Sequence, residues 1–385
     1  MTTRSLDSDL ADLTNASGQA KGGTGSLPPM VSTRQKIIKK FLKHKLALMG
    51  MFMLIIMYFS IIFAEFLSPY GEASSDRNKP YAPPSRIHFF HKGSFIGPFI
   101  YNYKEVFDAQ TLKNKKKYDK ETPYKIKFFA QGEPYKMWGL IPSSIHLFTV
   151  DEPARIYLWG ADLQGRDIFS RILYGGRISL TIGIIAIMIS YPIGLLMGGI
   201  SGYFGGWVDT IIMRVVEAII TFPSLYLLLT LSATLPQGLT SVQRYFLITV
   251  ILAFIGWAGQ ARIYRGQVLS LKQMEYVDAA KAMGAGDISI IVKHIIPQMS
   301  SWIIVSATIS IPAYTLGEAA LSFLALGIQD PQASWGLMLQ EARNISLLKG
   351  HPWLLIPGFM IVFSVFAFSF FGDGLRDAFD AKKKI

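Results

Sequence analysis

The chain has 385 residues, of which 51% are hydrophobic and 17% are charged, and its formal net charge is +12. Soluble proteins carry about 25% charged residues, so this composition excludes a disordered chain and disfavours a soluble enzyme. The absence of cysteine excludes disulfides, zinc–thiolate sites, iron–sulfur clusters and thiol catalysis. Long apolar blocks next to Lys and Arg are typical of membrane spans with basic anchors. No nucleic-acid-binding motif accompanies the positive charge.

The N-terminal region combines a polar tail with a basic, then apolar, segment. Residues 1–33 are rich in Ser, Thr, Asp and Gly and contain no apolar stretch of signal-peptide length, so they predict a disordered cytoplasmic tail. The block 46–67 is long enough to cross the ~30 Å hydrocarbon core as a helix. We therefore interpret 34–67 as a basic anchor and transmembrane helix 1. The basic residues, which predict that the N-terminus lies inside, are Arg34, Lys36, Lys39, Lys40, Lys43 and Lys45.

Residues 68–157 differ from the rest of the chain and predict a long extracytoplasmic insert of mixed, β-rich structure. Short aromatic and β-branched runs at 125–129 and 155–159 are typical of strands. The insert also carries a lysine cluster at 113–117. This charge is compatible with export, because long loops translocate largely regardless of charge.

Five further apolar blocks make 158–385 a predicted transmembrane domain, for a total of six transmembrane helices. The connections 233–244 and 326–352 carry few Lys and Arg, whereas 261–300 carries several. This bias predicts that both termini lie inside. The blocks are 178–199, 210–232, 245–260, 301–325 and 353–372.

Charged side chains within the predicted spans are candidates for function. Glu318 lies in the fifth span, where an ionisable group costs at least ~2.5 kcal/mol and must face protein or water. It either lines a substrate cavity or is a structural hydrogen-bond partner, and we favour the structural interpretation. Arg214 and Glu217 share a face of the third span and predict a structural pair. In the insert, His88 and His91 have no third ligand close in sequence, so we predict no metal site.

Small residues recur at every fourth position along the second span and just beyond it. Such a stripe lets two helices approach closely. We therefore predict tight helix packing here rather than a ligand site. The stripe consists of Ser190, Gly194, Gly198, Gly202 and Gly206.

The inside loop 261–300 is predicted to fold as a compact elbow of two short helices. The first spans 270–283, with Ser270 as its N-cap, and is broken at Gly284. The second spans 287–296 and ends before the proline that follows. From these features alone, an ordinary interfacial amphipathic hairpin is the favoured interpretation.

The spacing within the elbow resembles the cytoplasmic loop of ATP-binding-cassette importer permeases. An acidic residue is followed by two alanines, then by a glycine after three residues and a proline thirteen residues later. Asp278 stands where the family commonly has Glu, and His294 stands where Ile is common. The residues that carry the resemblance are Glu275, Tyr276, Val277, Asp278, Ala279, Ala280, Gly284 and Pro297.

A second motif, just before the second span, resembles the C-type subunits of dipeptide, oligopeptide and nickel permeases. Matching segments continue through 316–335, and the resemblance covers 158–380 almost continuously, together with the first span. It does not cover the insert, which is longer than usual. The motif residues are Gly160, Asp162, Gly165, Arg166 and Asp167.

This resemblance implies a fold, partners and a location. The fold would be an all-α polytopic membrane protein with six transmembrane helices, N-in and C-in, in the bacterial plasma (inner) membrane. Its partners would be a second homologous permease subunit, two ATPase subunits and an extracytoplasmic solute-binding protein. The elbow would dock on an ATPase, with Ala279 and Ala280 packing closely, Gly284 supplying the turn and Asp278 capping or pairing within the contact.

The resemblance implies peptides as the substrate, with nickel as the alternative. The chain contains no P-loop motif, so it is not predicted to be an enzyme or to bind a cofactor; ATP and Mg²⁺ would bind to the partner ATPases.

Two other classes of protein compete with this interpretation. A membrane hydrolase would need a nucleophile with a base, or a metal cluster, inside the spans, and the sequence offers neither. An ion-coupled secondary transporter would transport alone and would usually contain inverted repeats, of which none is visible.

Overall fold

A computed structural model describes residues 33–108, 113–236 and 238–380. The predicted N-terminal tail, apart from Thr33, and the three lysines at 382–384 lie outside these residues. The described chain is mostly helical, with an antiparallel sheet between its first two long helices. The helices are α1 (Thr33–Lys43), α2 (Lys45–Ile62), α3 (Ala64–Leu67), α4 (Ile168–Phe204), α5 (Gly206–Thr221), α6 (Ser224–Ala233), α7 (Ser241–Leu271), α8 (Glu275–Ala282), α9 (Asp287–Phe323), α10 (Trp335–Met338), α11 (Ile345–Gly350) and α12 (Pro352–Phe379).

Within the described residues, five helices are long and apolar enough to cross a membrane: α2, α4, α7, α9 and α12. The helices α5 and α6 are bent by 86° relative to each other. Counted together as one broken span, they add a sixth candidate. The predicted span 210–232 is therefore not one straight helix. Pro223 disfavours a helical conformation in the residue before it, and Phe222 is accordingly extended, with φ −78° and ψ 133°.

The long helices extend well beyond the apolar blocks that predicted them. α4 begins at Ile168 rather than at residue 178, and α7 continues to Leu271 rather than ending at residue 260. Hydropathy marks only the part of a helix inside the hydrocarbon. The backbone hydrogen bonds continue into polar surroundings, which the apolar pattern does not record.

α4 and α7 are in close contact along the glycine stripe. A Cβ added to Gly198 would collide with a backbone carbonyl of α7, and one added to Gly194 or Gly202 would lie 2.8 Å from atoms of α7. The predicted tight packing is confirmed for these three glycines. At the ends of the stripe, Ser190 hydrogen-bonds a tyrosine of α9 at 2.8 Å, and Gly206 has nothing within 4 Å of an added Cβ.

A second core forms around the loop between α9 and α12. Trp335 is almost fully buried, and its indole N–H donates to the Ile172 carbonyl of α4 at 3.0 Å. Apolar residues of α2, α4, α9 and α12 surround it. This cluster holds α2 and α12 against α4 and α9.

The insert contains a four-stranded antiparallel sheet in the order β1-β2-β3-β4. Its long third strand pairs with β2 along its first half and with β4 along its second half. The prediction of β structure is confirmed at 125–129, and the lysine cluster at 113–117 lies where β3 pairs with β2. The strands are β1 (His88–His91), β2 (Ser94–Asp108), β3 (Lys113–Met137) and β4 (Ile141–Val150).

The strand predicted at 155–159 is wrong. Ile156 and Tyr157 are buried, but their backbone N–H groups donate to side-chain hydroxyls rather than to a neighbouring strand. The acceptors are the Tyr70 hydroxyl at 2.7 Å and Ser85 Oγ at 2.9 Å. When side chains accept the hydrogen bonds of its buried backbone N–H groups, a loop can carry side chains as apolar as those of a strand.

Gly198→Ala should destabilise the α4–α7 contact, because overpacking a tight contact costs about 1–3 kcal/mol. The matched control is Gly266→Ala on the facing helix α7, where an added Cβ meets nothing within 4 Å. The control should be neutral or stabilising by up to about 1 kcal/mol. Thermal unfolding in detergent, followed by Trp fluorescence, measures both variants. Equal unfolding temperatures would contradict the importance of this contact.

Candidate functional site

The elbow consists of residues 272–290, which are the connection between α7 and α9 together with the first turn of α9. α8 ends in a tight turn at Gly284, whose φ is +82°. The Gly284 N–H donates to the Lys281 carbonyl at 2.9 Å, and the Ala285 N–H donates to the Ala280 carbonyl at 3.0 Å. This pair of bonds is a Schellman motif, and its left-handed position favours glycine because no Cβ is present to clash.

The first helix of the elbow differs from its prediction. Ser270 is not an N-cap, because it lies in the last turn of α7. That helix continues past the membrane segment because Tyr264 and Val268 pack against the glycine stripe of α4. The elbow helix itself begins only at Glu275, after the extended residue Met274.

The prediction that the second helix ends before Pro297 is also wrong. α9 continues through Pro297, with a π-helical turn at Ile291–Ile295 just before it. In a regular α-helix the proline ring would clash with the carbonyl of Lys293. The wider turn accommodates the proline and lets the helix continue.

One side of α8 packs onto the protein and the other side is exposed. Val277 and Ala280 are buried among side chains of α7 and α9. Ala279 is exposed. The expectation that both alanines pack closely against an ATPase is therefore wrong for Ala280, which is part of the chain's own core.

Large apolar side chains on both sides of the Gly284 turn are exposed. Met283 is 80% exposed and Ile288 is 75% exposed, although neither was among the predicted site residues. Apolar residues flanking a glycine turn in a polar loop were the signal that could have identified them. Glu275, Asp278 and Pro297 are also exposed. We call the exposed apolar side chains the apolar face of the elbow and define it by Tyr276, Ala279, Met283 and Ile288.

Two hydrogen bonds fasten the elbow to the C-terminal end of α4. Lys272 Nζ donates to the Gly202 carbonyl at 2.8 Å. The Tyr203 hydroxyl donates to Asp287 Oδ1 at 2.7 Å. The elbow is therefore joined to α4 as well as to α7 and α9.

The motif before α4 forms a charge network that crosses to the loop after α9. Arg166 lies 2.6 Å from Asp162 and 2.6 Å from Asp330, measured between nitrogen and carboxylate oxygen. Arg171, which is almost fully buried, lies 3.4 Å from the same Asp330. The Arg166–Asp162 pair is buried, and breaking a buried ion pair typically costs about 3–5 kcal/mol. Asp330 is about half exposed, so its pairs contribute less. Asp330 was not predicted, because no local motif surrounds it.

The remaining motif residues shape the backbone. Gly160 has φ +84°, and a Cβ there would lie 2.7 Å from the Trp353 ring. Gly165 also has a positive φ, +71°. Asp167 caps α4 by accepting the Ser170 N–H at 2.8 Å. The motif therefore positions the loop that precedes α4.

Glu318 is fully buried on α9. Its carboxylate accepts hydrogen bonds from Ser322 Oγ at 2.6 Å and from Ser179 Oγ of α4 at 3.4 Å. Ser179 Oγ also accepts a hydrogen bond from the backbone N–H of Trp335 at 3.1 Å. These contacts favour the structural interpretation of Glu318.

The other candidate side chains also interact within the chain. Arg214 and Glu217 form an exposed ion pair of 2.9 Å on one face of α5. In the insert, His91 Nδ1 lies 2.9 Å from the Tyr101 hydroxyl. The described part of the chain contains no group of three or more His, Cys, Asp or Glu side chains that could hold a metal ion.

Comparisons with known proteins identify the family. Residues 190–385 match the model of the binding-protein-dependent transport system inner membrane component, and residues 32–84 match the N-terminal transmembrane domain of oligopeptide transport permease C. The dipeptide transport system permease protein DppC of Bacillus subtilis is 33% identical over 355 residues, which cover 92% of this chain and 87% of that protein. The chain belongs to this permease family.

Further relatives agree with this assignment. The oligopeptide transport system permease protein OppC of Haemophilus influenzae is 42% identical over 229 residues, covering 59% of this permease and 71% of that protein. A solved chain of the MetNI methionine ABC transporter is 18% identical with a TM-score of 0.37, covering 54% of the permease and 94% of that chain. The predicted C-type permease subunit of an ATP-binding-cassette importer is confirmed.

The permease should lose stability as the pH rises through the titration of Glu341, which accepts the Leu163 N–H beside the charge network. Burial, and then the negative charge of Asp162, raise the pKa of Glu341 from 4.5 to about 7. The folded state therefore holds this proton more tightly than the unfolded state. The resulting stabilisation is complete below pH 4.5 and is lost as the pH rises through about 7.

Glu341→Gln should flatten the decline of the unfolding temperature between about pH 5 and about pH 8. A smaller slope should persist in this variant, because burial raises the pKa of Asp167 to about 6. Glu121→Gln, at an exposed position of β3, is the control and should retain the full slope. If the unfolding temperature fell equally steeply with pH in the Glu341 variant and in the unmodified permease, Glu341 would not be the group responsible for the decline.

Proposed function

We propose that the permease forms half of the translocation pathway of an ATP-driven importer, and that the elbow transmits the movement of ATPase subunits to the spans. The observation that carries this proposal is the apolar face of the elbow, which is exposed on α8 and at the start of α9 while the other side of α8 is packed against the protein. Contiguous exposed apolar surface marks sites of protein contact. The partners we infer are two ATPase subunits, a second homologous permease subunit and an extracytoplasmic solute-binding protein.

The elbow suits this task because it is joined to three spans. Val277 and Ala280 pack among side chains of α7 and α9, while Lys272 and Asp287 bond to α4. When ATP closes the ATPase pair, a docked α8 moves with these spans as a rigid body and switches the pathway between inward and outward access. ATP and Mg²⁺ bind to the ATPase subunits, and this chain contributes no cofactor and no catalytic residue.

We infer an orientation with the N-terminus, the elbow and the C-terminus on the cytoplasmic side of the bacterial inner membrane. Counting α5–α6 as one span gives six, an even number that returns the chain to its starting side. In agreement, His44 at the start of α2 lies 3.6 Å from Asp377 near the end of α12. The basic residues of α1 and of the elbow fit the positive-inside rule. The insert then faces the opposite, extracytoplasmic side.

We infer that the substrate is a peptide, because the two relatives described above are named for dipeptide and oligopeptide transport. The solute-binding protein would select among peptides before delivery. Nickel, the alternative within the same family, is distinguished by the uptake experiment below.

Gly284→Pro should uncouple ATP hydrolysis from uptake without preventing membrane insertion. Proline fixes φ near −65°, whereas Gly284 has φ +82°, so the Schellman turn cannot form. We expect uptake by the reconstituted transporter to fall by roughly tenfold or more, while ATP hydrolysis continues. Gly286→Ala is the control, since Gly286 has φ −69° and open space around an added Cβ. Unchanged uptake in the proline variant would exclude the coupling role.

The complete transporter in proteoliposomes should accumulate labelled dipeptides or oligopeptides when ATP is present with the ATPase subunits. Radioactive nickel, offered in parallel, should not accumulate. Nickel uptake without peptide uptake would establish the alternative substrate. Uptake by the lone permease under an ion gradient would instead establish a secondary transporter.

A further inference from the structure

The turn between β3 and β4 exposes several large apolar side chains. We call residues 138–141 the hairpin tip; they comprise Trp138, Gly139, Leu140 and Ile141. Leu140 is 79% exposed, and Trp138 and Ile141 are each more than half exposed. Other aromatic side chains of the sheet, such as Phe90 and Phe129, are exposed as well. A cluster of exposed apolar side chains marks a surface that contacts something other than water, and the position of the hairpin tip indicates what it contacts.

Hydrogen bonds fix the position of the hairpin tip relative to the first span. The Trp138 indole N–H donates to the carbonyl of Ile62, the last residue of α2, at 2.8 Å. The Trp138 backbone N–H donates to Glu65 Oε1 at 3.3 Å. Glu65 is itself paired with Arg177 of α4, at 2.7 Å from Nη1 to Oε1. The tip therefore lies at the level where a membrane-spanning helix ends.

The hairpin tip also continues an apolar surface that begins on α2. One side of α2 packs onto the protein, and the other exposes large side chains that include Phe52, Ile55 and Phe59. The ring centroids of Phe59 and Phe63 lie 4.7 Å apart, and those of Phe63 and Trp138 lie 6.3 Å apart. This continuity places the tip where the outward side of a span meets the membrane surface.

We propose that the hairpin tip inserts into the boundary between headgroups and acyl chains, in the leaflet at the C-terminal end of α2, and anchors the insert to the bilayer. Tryptophan prefers this boundary, because its ring is apolar and its N–H needs a partner. Leu140 and Ile141 would enter the acyl region beside it. The partner of this surface is lipid, and its location at the end of α2 does not depend on the identity of the transported substrate.

The absence of cysteine from the sequence makes the test direct. Leu140→Cys, labelled with an environment-sensitive fluorophore, is placed in the complete transporter in phospholipid nanodiscs. Tyr118→Cys is the matched control. It is exposed on β3, about 20 residues earlier in the chain and away from the hairpin tip. We expect spin-labelled lipids to quench the probe at 140 at least about twofold more than the probe at 118, and aqueous iodide to show the reverse order.

Two results would overturn the proposal. Equal lipid quenching at both positions, with equal access to iodide, would leave the hairpin tip in water. Protection of the probe at 140 from both quenchers would indicate a protein partner, such as the second permease subunit.

A second variant tests whether apolar contact causes the insertion. With the probe at Ile141→Cys, the additional change Leu140→Asp should lower lipid quenching by about half or more, because the charge opposes insertion. Undiminished quenching would contradict anchoring by the apolar tip.

Discussion

The close contact between α4 and α7 is the constraint on which most of the permease depends. Lipid tails are as apolar as leucine, so the hydrophobic effect does not hold spans together, and packing must do so. Glycines at three successive positions of the stripe remove the side chains that would keep the two backbones apart. The same contact continues beyond the membrane segment through Tyr264 and Val268, so α7 keeps its helical form to the start of the elbow. The position of the elbow is thus a continuation of intramembrane packing.

The two ends of the transmembrane domain are organised by different interactions. At the elbow, apolar packing of Val277 and Ala280 leaves an apolar surface on the other side of the same helix. At the opposite end, arginines and aspartates join the loop before α4 to the loop after α9. The arginines are buried, so their charges need these partners. The permease therefore has one end that exposes an apolar surface and another end that is joined by internal ion pairs.

The sequence was most informative where a single physical effect determines the structure. Hydropathy predicted the spans, and the left-handed position at Gly284 follows from a glycine at the end of a helical pattern. Predictions failed where distant residues decide: Ser270 is helical because α4 packs beside α7, and Ala280 is buried because of how α8 is rotated against its neighbours. The apolar run at 155–159 resembled a strand because its hydrogen-bond acceptors, Tyr70 and Ser85, are about 70 or more residues away in the chain. Asp330 joins the charge network only through the fold.

The π-helical turn at Ile291–Ile295 sets the rotational phase of α9. An α-helix advances about 100° per residue, so one extra residue in a turn rotates everything after it by that angle relative to what precedes it. Ile290 faces the elbow core, and, nearly thirty residues later, Glu318 faces the serine of α4. The extra residue in the turn rotates the part of α9 that carries Glu318 relative to the part that carries Ile290, and each side chain then contacts its own neighbouring helix. The turn thus sets how the second half of α9 is rotated relative to the first half. Ile290 can therefore face the elbow while Glu318 faces Ser179 near Trp335.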